Sequence, residues 1–163
     1  MTTANEAQHL RRVIVILRVT LGVIFFVTWW DNVQKGLYQP DNFAGFINWL
    51  ANGHPLGFYR AFLINVIAPV APVFGTFQMI AELGMGLALL LGVLTPLTSL
   101  GATFFFFNLF LSYLNPNTGE WIWTYVLLLV TAVVVGLTRS GRAWGVDAWL
   151  LKKRGNPPIP YLW

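Results

Sequence analysis

The sequence predicts an all-α membrane protein: a four-transmembrane-helix bundle with one or two short outer interfacial helices between the first and second spanning helices. Three observations lead there. Hydrophobic residues make up 56% of the 163-residue chain and charged residues only 10%, against roughly 25% charged in an ordinary soluble domain. Apolar runs approaching the ~20 residues that a bilayer crossing takes recur at about 13–30, 73–93, 96–114 and 121–138. The basic residues stand beside these runs and form no separate basic domain, so the formal charge of +4 reads as an orientation signal and not as a nucleic-acid surface. Residues 1–163 are expected to form one integral membrane domain.

The first run carries Arg18 about two turns inside it and ends on Trp29 and Trp30, a pair suited to the membrane interface. It follows Arg11 and Arg12 as a signal peptide might be arranged, but no small-residue cleavage pattern follows it, so a retained helix is expected. Asp31 to Gly36 is read as a polar exit from the bilayer. Over 42–52 the apolar residues Phe43, Phe46, Ile47 and Leu50 fall at i, i+3, i+4 and i+7, the pattern of an amphipathic helix. Asp41 after Pro40 starts it, Gly53 stops it, and its length suits the outer interface. Residues 58–68 form a second short outer or re-entrant helix, separated from the second span by Pro69 and Pro72, since a proline costs a helix interior ~3 kcal/mol.

Pro96 suits the first turn of the third span. Asn115-Pro116-Asn117-Thr118-Gly119 is a dense turn signal before the fourth. Residues 139–163 make a basic tail, in which Ala148 to Leu151 could form an interfacial turn. Arg11, Arg12, Arg139, Arg142, Lys152, Lys153 and Arg154 then lie on one side of the membrane, against Lys35 and Arg60 on the other. Both termini are expected in the cytoplasm of a multi-pass cell-membrane protein.

The chain has no cysteine, which removes disulfides, Cys-ligated zinc, iron–sulfur clusters and a persulfide relay from its own repertoire. His9 and His54 fall on opposite sides of the predicted membrane, against bis-histidine haem ligation within one chain. No haem or metal cluster is expected from this chain alone, and no metal site. Phosphate loops, dinucleotide fingerprints, HExxH and nucleophile elbows are absent.

Charge within a bilayer costs ~2.5–3.5 kcal/mol at a helix centre, so Arg18 and Glu82 need partners. Counting from the inner helix ends places them at similar depth, and an Arg18–Glu82 ion pair is expected. It would either fix helix register or belong to a proton or quinone site. Gln78 lies one turn before Glu82 and shares its face. Asn108, Ser112 and Asn115 make a comparable polar stripe on the third span, and Thr124, Thr131 and Thr138 on the fourth, although polar groups also simply join helices in membranes. Gly84, Ala88 and Gly92 read as a close-packing stripe. At the outer face Asp31, Lys35, His54, Glu120 and Trp121 could receive a small anion or a quinone head, or belong to an ordinary interfacial belt.

Three stretches carry a resemblance. They are Arg18 with Gly22 and the Lys35-Gly36 exit; Gln78 to Gly84 running into Leu89 to Thr95; and Gly141-Arg142-Ala143-Trp144-Gly145-Val146-Asp147-Ala148-Trp149-Leu150. In these the chain resembles the DoxX/DoxD family of small four-helix membrane proteins, which includes the membrane subunit of thiosulfate:quinone oxidoreductase. The family's usual arginine after the threonine is replaced here by Pro96. The resemblance implies a quinone-linked oxidoreductase subunit acting on reduced sulfur compounds such as thiosulfate, with Arg18, Gln78, Glu82 and Asn108 as candidate quinone-binding residues. It equally admits a noncatalytic accessory or assembly subunit of a larger membrane complex. A small-solute or proton transporter ranks last. Expected partners are the lipid bilayer and other membrane subunits, with a homo-oligomer open and nucleic acid not expected.

Overall fold

The computed structural model describes residues 3–159, 162 and 163. Among these the secondary structure is helical, without strands: α1 (Thr3–Gln34), α2 (Pro40–Ala51), α3 (Gly57–Phe62), α4 (Ala71–Leu91), α5 (Thr95–Ser112), α6 (Trp123–Thr138) and α7 (Val146–Arg154), with short turns of other pitch between some of them. By length and composition, Asn5–Gln34, Gly57–Leu91 and Thr95–Ser112 can each cross a membrane, and Trp123–Thr138 is a shorter apolar helix.

Two helical boundaries differ from expectation. Helix α1 extends well past 13–30 at both ends, because nothing in its flanks breaks a helix until Gly36 adopts φ +66°. Asp31 to Gln34 is therefore its last turn and not an exit loop. Residues 58–68 are also no separate helix. A π-helical stretch, Leu63–Ile67, and a 3₁₀ turn, Ala68–Val70, carry α3 directly into α4. Wider and tighter turns in sequence absorb the hydrogen bonds that Pro69 and Pro72 cannot make. The buried residues Tyr59, Leu63, Ile67 and Ala71 recur every fourth position, a spacing that drifts around a regular helix of 3.6 residues per turn. The wider turn counteracts that drift.

Helix α1 packs on α4 and α6, and α5 packs on α6 and α4. Their shared core comprises Ile14, Leu21, Phe25, Leu89, Ala102, Phe106, Ala132 and Val135. Close approach comes from Gly22, where a side chain would meet Leu90 at 2.8 Å, and from Gly86, where it would meet Phe26 at 3.2 Å. Of the predicted small-residue stripe, Gly84 faces open space, whereas Gly92 packs closely against Arg18 and Gly145.

A second core holds α2 and the π-helical stretch against α4, with Phe43, Ile47, Leu50 and Leu63 at its centre. Phe43, Ile47 and Leu50 are buried as the periodicity of α2 predicts, whereas Phe46 is only partly so. His54 ties this unit to α5. Its Nδ1 accepts from the Leu56 amide at 3.1 Å, which leaves the proton on Nε2 to be donated to the Leu111 carbonyl at 2.9 Å. Asn115, expected on a polar stripe of α5, lies beyond the helix end. It donates to the Leu50 and Asn52 carbonyls at 2.9 and 2.8 Å and accepts from the Asn117 amide at 3.1 Å. Thr131 and Thr138 bond carbonyls of their own helix, the usual local outlet for a helical threonine.

The surface is inverted relative to a soluble protein. Val73, Phe77, Ile80, Leu100, Phe104 and Leu137 are all exposed, while Arg18, Glu82, Asn115 and Asp147 are buried. An apolar exterior around polar interior groups is what lipid as solvent selects.

Candidate functional site

The buried acid Glu82 sits on α4 facing α1 and the loop that follows it. Its Oε2 accepts from the Tyr38 hydroxyl at 2.7 Å and from Asn32 Nδ2 at 3.4 Å, and its Oε1 accepts from Gln78 Nε2 at 2.7 Å. Asn32 also donates to the Tyr38 oxygen at 3.3 Å. Tyr38 lies in the loop between α1 and α2. Its burial, and then the charge of Glu82, push its phenol above the ordinary range, so it remains a proton donor at neutral pH. Asn32 was hidden in the sequence because Asp31 to Gly36 read as a polar exit, and Tyr38 because it falls in the stretch after that exit, to which no element was assigned. The extension of α1 to Gln34 is what brings Asn32 to the carboxylate.

Beside this network lies a cavity of about 380 Å³, within the size range of small-molecule sites. Helices α4 and α5 form two walls, and α2 with the Gly57–Ile67 segment forms the roof. Phe46, Phe62, Phe74, Phe77, Phe104 and Phe105 give it an aromatic lining, and Gln78, Asn108, Ser112 and Tyr59 are its polar members. Of the candidates named from the sequence, Gln78 and Asn108 line it directly. Glu82 stands behind Gln78. Asn108 spends its side-chain amide on the Phe104 carbonyl at 2.9 Å, while its own carbonyl accepts from Ser112 at 2.9 Å and Tyr59 at 3.2 Å.

Arg18 is elsewhere, and the expected Arg18–Glu82 ion pair is not formed. The two helices run antiparallel, so Glu82 lies level with Asn32, and at ~1.5 Å per residue about 21 Å of helix separates Asn32 from Arg18. Counting inward from each helix's own end misjudged this because the ends are not level: Arg18, well inside α1, packs against Gly92 just past the end of α4. Arg18 instead donates from Nη1 to the Trp144 carbonyl at 2.6 Å, against Gly92 and Gly145. Asp147 supplies the opposite charge acting on it. The Asp147 carboxylate accepts from the Leu94 and Thr95 amides at 2.7 and 2.8 Å, and its own amide donates to the Gly92 carbonyl at 2.9 Å. Thus the Gly141-to-Leu150 stretch is a lock across the start of α5 and the end of α4, and the expected interfacial turn there is helix α7. Arg142 adds a clamp, donating from Nε and Nη2 to the Trp163 backbone oxygen at 3.0 and 2.6 Å.

Gly92 sits in this lock at φ +66°, and a methyl group there would collide with the Arg18 guanidinium. Gly92→Ala is therefore expected to cost about 2–4 kcal/mol, from the left-handed conformation and overpacking together, as measured by thermal unfolding in detergent.

The outer-face candidates do not converge on the cavity. Asp31 and Lys35 pair with each other at 2.5 Å on the exposed end of α1. His54 is buried in its structural tie, and Trp121 is exposed.

The apolar exterior is that of a membrane protein, and within it an aromatic-lined cavity lies beside a buried carboxylate network. The chain belongs to the DoxD family: the family model described as TQO small subunit DoxD matches residues 13–159. No solved structure matches the chain.

Proposed function

We propose that this chain is a multi-pass cell-membrane subunit of a quinone-linked oxidoreductase and that the aromatic cavity holds the quinone head. In this reading α1, α4, α5 and α6 are the four spans, and the basic tail and both termini face the cytoplasm. The observation that carries the reading is the pairing of an aromatic-walled cavity with Gln78, whose amide is fixed from behind by buried Glu82. A flat ring with carbonyl acceptors suits aromatic walls and needs a donor. Gln78 Nε2 has a second N–H beyond the one given to Glu82, and it is available to a carbonyl oxygen.

Glu82 acts as a positioning residue, holding the Gln78 amide in one orientation through a charge-assisted bond, and Tyr38 and Asn32 hold Glu82. The phenylalanine walls exclude water, which strengthens the Gln78 contact. A bound quinone would supply the acceptor for two electrons and two protons. With no cysteine in the chain, sulfur chemistry falls to a partner subunit, and thiosulfate is the electron source that the family description suggests.

Purification of the native protein with its partners in mild detergent, followed by quinone extraction and titration with added quinone, tests this. The wild type is expected to retain quinone, and Gln78→Leu to bind it on the order of tenfold more weakly, the worth of one hydrogen bond to a buried site. A preparation that neither retains nor binds quinone overturns the reading.

A further inference from the structure

We infer that the cavity is entered sideways from the lipid, through the seam between α4 and α5 beside Phe77 and Phe104, so that its ligand keeps an apolar tail in the bilayer. The inference rests on the quinone reading above and adds to it the route and the kind of molecule.

Phe77 and Phe104 line the cavity, yet they are 62% and 69% exposed. Both therefore belong at once to the pocket and to the lipid-facing surface. The opposite side is more closed: the roof residues Ile47, Leu50, Tyr59 and Leu63 are buried, and Phe62, at 39%, is less exposed than Phe77 or Phe104. A ligand arriving from outer water would have to dismantle that second core.

Polarity is also graded along the cavity. Helix α4 runs inward from Ala71 and α5 runs outward from Thr95, so Gln78, Asn108 and Ser112 stand at the outer end. Ala81, Met85 and Gly101 lie deeper. At ~1.5 Å per residue, Gln78 and Met85 are about 10 Å apart along the axis. The deep end carries no polar side chain among these residues and no bulk on α5, where a side chain at Gly101 would first meet Met85 Sδ at 3.5 Å. A polar head at Gln78 with a chain leaving past Gly101 matches both ends. A compact polar solute matches only one.

The test uses two quinones with the same head, one with a long isoprenoid tail and one with only a methyl group. Binding to the purified protein with its partners is measured in lipid nanodiscs, for wild type, Gly101→Leu and Ala81→Leu. The plugged variants are expected to lose affinity for the long-tailed quinone on the order of tenfold and to keep affinity for the tailless one. Phe104→Ala, which widens the seam without adding volume, is expected to speed uptake of the long-tailed quinone. Equal loss of both quinones, or loss of neither in either plugged variant, overturns the portal. If wild type binds neither quinone, the quinone reading itself falls, and that failure is distinct from a misplaced entrance.

Discussion

Asp147→Ala is expected to lower the unfolding free energy by about 3 kcal/mol, the largest stability effect of any single side-chain truncation in the tail. The residue lies fully buried, and its two oxygens satisfy the Leu94 and Thr95 amides at the start of α5. Truncation leaves both donors without an acceptor, at ~1–3 kcal/mol each, and leaves Arg18 without the opposing charge. Asp147→Asn keeps the shape but offers one acceptor oxygen and a second group that repels an amide N–H. Roughly half the loss is expected for it on the same grounds. Thermal unfolding in detergent, followed by circular dichroism, reads both. An Asp147→Ala protein as stable as wild type would mean that the lock contributes nothing.

The second large effect is on ligand binding. Glu82→Leu strands three donors, from Tyr38, Asn32 and Gln78, and frees Gln78 to turn away from the cavity. Quinone affinity is expected to fall on the order of a hundredfold, corresponding to about 2.7 kcal/mol, with some loss of stability from the unpaired donors. Glu82→Gln separates the two consequences. It keeps the volume and one acceptor oxygen, so the helices should stay assembled while the fixed orientation of Gln78 is lost, at a cost on the order of tenfold in affinity. Equilibrium binding and thermal unfolding of the same preparations distinguish these outcomes. Undiminished turnover in Glu82→Gln would instead favour an accessory subunit, in which the carboxylate serves only to join α1 and α4.

Local signals in the sequence located most elements. The i, i+3, i+4 pattern from Phe43 to Leu50 placed α2, and the turn cluster at Asn115 placed the end of α5, because both depend on neighbours in sequence. Proline was misread for the same reason. Pro69 and Pro72 count against a regular helix, but a change of pitch around them keeps the chain helical, and the cue for it was the fourfold recurrence of Tyr59, Leu63, Ile67 and Ala71. Glu82 and Gln78 were recognisable as neighbours because one turn separates them. Their partner was not, since it depends on how far α1 runs and where α4 stops. Arg18 and Glu82 were both correctly seen to need partners, yet each found its own. The partner of Arg18 is a backbone carbonyl, which no residue type announces.

The bond between Arg18 and Trp144 joins positions 126 apart, and this sets an order of events during biosynthesis. At ~5–20 residues per second, the ribosome completes the acceptor of Arg18 roughly 6–25 s after Arg18 itself. Through that interval the first helix carries a cation whose final contacts do not yet exist, and its long side chain can reach only toward the membrane surface. Until the later segment arrives, the contacts of the lock are unmade. Docking of the segment from Trp144 to Asp147 is the event that closes the lock between Arg18 and the start of α5.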